Sequence, residues 1–152
     1  KFIQNGESVV LLCLGDTSLF ASSSNILRLI KKNHTEIITK TIPGISSVSA
    51  AAALNDFDLV KKGETLIIKE CPSSKSELTS LIRESKGNKI VLAIMKVGQR
   101  WNFVREILKK EDIINTSLVA LRVGMPDQII QYAPQYKEDF MPYFSLILIR
   151  FD

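Results

Sequence analysis

Four junctions in this 152-residue sequence set small, polar or glycine residues at the end of an apolar run. They are Gly15-Asp16-Thr17, Pro43-Gly44-Ile45-Ser46-Ser47, Met95-Lys96-Val97-Gly98 and Val123-Gly124-Met125-Pro126. Small residues at strand ends let backbone approach a flat or extended ligand, whose polar edge is then read by N–H and C=O groups. Each junction alone has a plainer reading. Asp16 or Thr17 caps a helix, Pro43-Gly44 makes a turn, Lys96 is solvated, and Ala50 to Ala53 are simply good helix formers. The recurrence of the pattern at four strand ends points to a ligand.

Other chemistries are poorly supplied. The one histidine, His34, lies in the polar connection KKNHTE and reads as a surface residue, which leaves no Ser/His/Asp machinery. Cys13 is inside an apolar run and Cys71 precedes a proline, with no CxxC spacing, so reduced thiols and no protein-bound metal are expected. There is no P-loop, and LGDTSLFA is not the GxGxxG dinucleotide fingerprint. Asp56 and Asp58 sit in a polar connection with nothing nearby to bury them, and read as solvated. The formal charge of +4 comes from scattered Lys and Arg residues, which favours an anionic small molecule over nucleic acid.

The elements that must carry these junctions follow from periodicity. Residues 9–14 are apolar on both faces, as in a parallel strand covered on both sides, and the turn at Gly15-Asp16 then lies at a strand's carboxyl end, where open α/β sheets bind ligands. Helical spacing of Leu19, Phe20, Ile26, Leu27 and Ile30 follows, then a β-branched strand over 36–42, then a helix opened by Ser46 or Ser47. A polar connection over 55–64 marks a domain boundary, giving 1–58 and 59–152. Beyond it the pattern predicts a strand over 65–69 and a helix with Ser74 and Glu77 at capping-box spacing, ended by Gly87. A strand over 89–95 and a helix with Trp101, Val104, Ile107 and Leu108 inward come next. Three strands within 117–123, 128–132 and 143–151 close the chain and, with no helix between them, are expected to be partly antiparallel. With 45% hydrophobic residues the chain can bury a core, and no apolar stretch approaches the roughly 20 residues of a membrane span. No signal peptide opens the sequence, so a cytoplasmic location is expected. Entry into a buried-type strand within about eight residues suggests that an N-terminal part of the parent protein is missing.

Read in order, the chain resembles the tetrapyrrole methyltransferases, S-adenosylmethionine enzymes that modify corrin and porphyrin precursors. LGDTSLFAS is similar to the family's strand-end GDP-type motif, IPGISSVSAAAA to its PGISS helix start, IMKVGQRWNFVREIL to its MK-containing strand-loop-helix, and LRVGMPDQII to a later strand end. The ending MPYFSLILI and the MK segment resemble members that methylate carbon 20 of precorrin-2 or cobalt-precorrin-2 in cobalamin (vitamin B12) biosynthesis. The alternatives are another tetrapyrrole methylase, such as a uroporphyrinogen-III or precorrin-4 enzyme, and a non-catalytic binding or dimerisation module. A ribosomal RNA methylating relative is disfavoured by the lack of a basic-aromatic stripe.

The resemblance implies an α/β fold, the end of an N-terminal parallel domain followed by a mixed-sheet C-terminal domain. It implies S-adenosylmethionine, released as S-adenosylhomocysteine, in the cleft between the domains of a homodimer. Cofactor contacts then fall on Leu14, Gly15, Asp16, Leu19, Ser46, Ser47, Met95 and Val123. Lys96, Arg100 and Arg122 are candidates for the substrate's carboxylates. Asp16 orients cofactor or substrate, or caps a helix. Tyr143 is expected to fill the sheet, with a place at the site as the other reading. Thr17 stands where the family has proline, Phe20-Ala21 where Tyr-Gly or Tyr-Ser is common, and the family's opening Gly-Pro-Gly-Asp loop has no counterpart. That last departure leads us to expect little activity from this stretch of chain alone.

Overall fold

The protein is described here as a computed structural model covering residues 3–151. It divides into two compact units, Lys1–Ser47 and Val48–Asp152.

The second unit is built on a five-stranded sheet. Its strands are β1 (Thr65–Glu70), β2 (Ile90–Met95), β3 (Ser117–Leu121), β4 (Ile129–Tyr132) and β5 (Ser145–Ile149), in the order β1-β2-β5-β3-β4. β1 and β2 are parallel, and β5 runs antiparallel to both β2 and β3, as β3 does to β4. Which strands lie inside and which at the edges follows from composition. SLILI and SLVAL are buried at every position and take the interior, whereas β1 and β4 carry Lys69, Glu70, Gln131 and Tyr132 and take the edges, where polar side chains also discourage further pairing.

Successive residues of a strand face opposite ways, so the three inner strands supply two cores. On one face Leu92, Ile94, Val119, Leu121, Ile147 and Ile149 meet Leu78 and Ile82 of α3 (Lys75–Gly87) and Trp101, Val104 and Leu108 of α4 (Trp101–Lys110). On the other, Val91, Ala93, Leu118, Ala120, Leu146 and Leu148 meet Val48, Ala51 and Ala52 of a short helix and Phe57 beyond it. That helix, α2, runs Ser47–Leu54, and its alanines permit close approach to the sheet.

The α3 start is the predicted one. Ser74 is extended (φ −113°, ψ 145°) and its Oγ accepts from the Glu77 N–H at 3.2 Å. Glu77 does not return the bond as a capping box requires; its carboxylate takes Lys69 Nζ at 2.9 Å. Replacing Ser74 by alanine is expected to destabilise the second unit by about 1 kcal/mol, measured by urea unfolding.

The first unit differs from expectation. It contains one helix, α1 (Ser22–Asn33), and a 3-10 turn at Ile3–Asn5, and no strand among the described residues. Neither 9–14 nor 36–42 is hydrogen-bonded into a ladder, so the predicted strand-helix-strand-helix order with parallel strands is not formed there. The physical reason is that a strand exists only through its partner. These runs have strand composition, yet their apolar side chains lie in water, with Leu12 87% and Ile38 98% exposed. The helix also starts at Ser22, three residues past Leu19, and ends with the polar Lys31-Lys32-Asn33.

Candidate functional site

In the first unit the turn at Asp16 is held by that residue's own carboxylate. Its Oδ1 accepts from the Ser18 N–H at 2.7 Å, the Ser18 hydroxyl at 2.5 Å and the Leu19 N–H at 3.1 Å. The Ser18 hydroxyl bond, then the two backbone bonds, hold the carboxyl below its ordinary value, so it is anionic at neutral pH. Asp16 therefore caps a turn and not the helix, whose N-cap is Ala21 with no side-chain bond. Gly15 has a left-handed backbone (φ 76°). Gly44 comes so close that a Cβ on it would overlap the Gly15 carbonyl oxygen, while a Cβ on Gly15 would sit 3.6 Å from the Ile45 carbonyl oxygen. Two of the four junctions named from sequence thus meet backbone to backbone. Ser46 immediately precedes the helix that opens at Ser47, Leu14 is exposed, and Leu19 is half-buried.

In the second unit the other two junctions lie on either side of the start of β5. The Lys96 N–H donates to the Ser145 carbonyl and the Arg122 N–H to the Phe144 carbonyl, both at 2.8 Å. Lys96 (φ 56°) and Arg122 (φ 48°) both take the left-handed conformation as their strands end. Met95 and Val123 pack on the sheet face that carries Val48, Ala51 and Ala52.

The basic side chains go to separate partners. Lys96 Nζ pairs with Glu70. The Glu70 hydrogen bond first, aided by its charge and by Tyr143, raises the lysine above its ordinary value, so it stays cationic through neutral pH. Arg122 Nε lies 3.0 Å from Asp127 Oδ2, but out of line, and this buried nitrogen has no hydrogen-bond partner among the described residues. Arg100 makes no ion pair among the described residues, and its charge acts on Cys71.

Tyr143 corrects an expectation. It is 64% exposed and packs edge-on against Phe144, with ring centroids 5.4 Å apart. It precedes β5, and only from Ser145 onward is the segment paired on both sides, so the ring is not drawn into the core.

Two residues escaped the sequence reading. Glu70 is the register partner of Met95, and recognising that TLIIKE runs parallel to IVLAIM would have placed it beside Lys96. Ser145 is buried; its hydroxyl donates to the Pro142 carbonyl at 2.7 Å and accepts from the Gly98 N–H at 3.0 Å, tying the loop after β2 to the start of β5. No local signal marks that serine.

The remaining reactive groups are quiet. Burial pushes the Cys71 thiol up to about 11 despite Arg100, which leaves it protonated and a poor nucleophile. His34 is exposed and meets Glu36 at 3.3 Å. Among the described residues no three His, Cys, Asp or Glu side chains could hold a metal, and no helix is long and apolar enough to cross a membrane.

Known proteins resemble this chain in sequence and fold. The chain is 24% identical over 150 residues to the cobalt-precorrin-2 C(20)-methyltransferase of Salmonella typhimurium, covering 97% of this chain and 60% of that one. It is 26% identical over 144 residues to the cobalamin biosynthesis protein CobIJ of Mycobacterium tuberculosis, covering 95% of this chain and 27% of that one. The chain thus spans between about a quarter and three-fifths of the length of these relatives. The X-ray structure of the cobalt precorrin-4 methyltransferase CbiF superposes with a TM-score of 0.71 at 20% identity, over 97% of this chain and 66% of that one. The model of the tetrapyrrole (corrin/porphyrin) methylases matches residues 2–134. With the matched stretch spanning the Gly15–Gly44 contact and the β2 and β3 ends, the chain belongs to the tetrapyrrole methylase family.

Proposed function

We propose that this chain serves an S-adenosylmethionine-dependent C-methylation of a tetrapyrrole in cobalamin biosynthesis, at carbon 20 of precorrin-2 or cobalt-precorrin-2. The observation that carries the reading is the backbone contact between the GDP-type turn and the PGISS segment. Gly44 packs on the Gly15 carbonyl so closely that no side chain fits between the two loops, which fixes the backbone groups that a ligand would meet.

In this reading Leu14, Gly15, Asp16, Leu19, Ser46, Ser47, Met95 and Val123 hold the cofactor. When bound, S-adenosylmethionine supplies an activated methyl on a sulfonium, so the chain's own work is positioning. Asp16 keeps the 16–19 turn in shape through one carboxylate oxygen. Gly15 and Gly44 keep side chains out of the loop contact. The attacking carbon belongs to the electron-rich macrocycle, and no side-chain nucleophile is needed, in keeping with a protonated Cys71 and a peripheral His34. Lys96, Arg100 and Arg122 are offered to substrate carboxylates as charge-assisted donors. Residues 1–58 and 59–152 as the two evolutionary domains, a homodimeric assembly and a cytoplasmic location belong to the same proposal.

The test is incubation with precorrin-2, or its cobalt form, and methyl-labelled S-adenosylmethionine, with products followed by mass and NMR. One labelled methyl at carbon 20, formed slowly by this stretch of chain alone, is the expected result. A label on another carbon would reassign the chain to a sister methylase. Cofactor binding by the folded protein without transfer to either substrate would make it a non-catalytic module.

A further inference from the structure

Lys96 is placed with more care than a solvated lysine needs. Its backbone is left-handed, a conformation strained for a residue with a side chain, and its N–H is fixed to the Ser145 carbonyl. Its ammonium meets Glu70 from the neighbouring strand, and Glu70 is aligned with Met95 by the parallel ladder, so the pairing is built into the register. The exposed Tyr143 phenol faces the same ammonium, beside the Phe144 ring. Met95 and Val123 lie on the adjoining sheet face.

The pair is also open. Its side chains are 30% (Lys96) and 51% (Glu70) exposed, against 7% and 17% for the Arg150–Glu64 pair in the same unit. A half-exposed ion pair has little net strength, because water competes for both partners and a released carboxylate is at once rehydrated. A lysine ammonium is a point charge with three donors and no preferred plane, and it accepts one carboxylate in place of another readily.

Resting on the tetrapyrrole reading above, we propose that Glu70 is an internal counter-ion, displaced from Lys96 when the substrate delivers a carboxylate of its own to that ammonium. Glu70 is then a specificity-determining residue: it keeps the cation occupied against stray small anions. It yields to a carboxylate tethered to a flat macrocycle that also lies on Tyr143 and Phe144. A neutral macrocycle has nothing with which to displace it. No bond is made or broken; one ion pair replaces another.

The test titrates the 152-residue protein with uroporphyrin, a stable tetrapyrrole bearing many carboxylates, followed by fluorescence. It is repeated with Glu70→Gln, Lys96→Gln and the double variant, each checked for folding by circular dichroism. Glu70→Gln is expected to bind roughly three- to tenfold tighter and Lys96→Gln about tenfold weaker, since one charge contact is freed or lost. The double variant is expected to match Lys96→Gln, because the glutamate acts only through the lysine. A gain from Glu70→Gln that persists without Lys96 would show simple field repulsion and overturn the proposal, as would no gain at all with binding otherwise intact. Failure of the folded wild-type protein to bind uroporphyrin would instead overturn the tetrapyrrole reading itself, and the counter-ion role with it.

Discussion

Single replacement of Arg150 by methionine is expected to destabilise the five-stranded unit by about 3–5 kcal/mol, the largest loss foreseen for one side chain outside the apolar core. Arg150 follows β5 and is only 6% exposed, yet its two terminal nitrogens are both hydrogen-bonded. Nη1 donates to the Asp58 carbonyl at 2.7 Å and to Glu64 Oε2 at 3.0 Å, and Nη2 to Glu64 Oε1 at 2.5 Å. The two-pronged contact pins the 58–64 connection to the sheet's central strand. Removing the guanidinium leaves the mostly buried Glu64 carboxylate with the Lys61 N–H, which donates to Oε2 at 2.7 Å, but without its countercharge, and that uncompensated charge dominates the loss. Replacing Glu64 by leucine at the same time removes the orphaned charge, so the double variant is expected to be more stable than Arg150→Met alone. Urea unfolding with unchanged m-values checks both statements, and equal losses in the single and double variants would refute the argument.

The second large effect concerns ligand affinity. Gly44→Ala is expected to weaken S-adenosylmethionine binding about tenfold or more, the equivalent of the roughly 1–3 kcal/mol that overpacking imposes. The added methyl and the Gly15 carbonyl oxygen cannot share one place, so the two loops must separate. Gly15→Ala is the milder change. The Cβ has room at 3.6 Å from the Ile45 carbonyl, and the penalty is the left-handed conformation alone, about 1–2 kcal/mol. Equilibrium dialysis with labelled cofactor ranks the two. Both loops lie in the first unit, so unfolding of the sheet should not move; wild-type affinity in Gly44→Ala would remove the loop pair from the cofactor site.

Much of the second unit was legible because its signals are local and agree with one another. Ser74 three residues before Glu77, the inward stripe of Trp101, Val104, Ile107 and Leu108, and the fully apolar runs of β2, β3 and β5 each report an element without knowledge of its neighbours. In the first unit the same rules misled. Residues 9–14 and 36–42 have the composition of strands, but composition records only suitability for a sheet, and the ladder that makes a strand depends on another segment.

The site divided along the same line. Sequence was enough to recognise the family, because motif order survives where overall identity is low, and to name the glycine and serine junctions and Lys96 as candidates. Sequence alone also limited the supply of nucleophilic side chains to one histidine and two cysteines. Which junctions meet was decided in three dimensions, where the fold sets Gly15 against Gly44, aligns Glu70 with Met95, and sends Lys96, Arg100 and Arg122 to different partners. It also turned Tyr143 from an expected core residue into an exposed one. Strand order and register are long-range properties, and no residue carries the identity of the partner that will lie across from it.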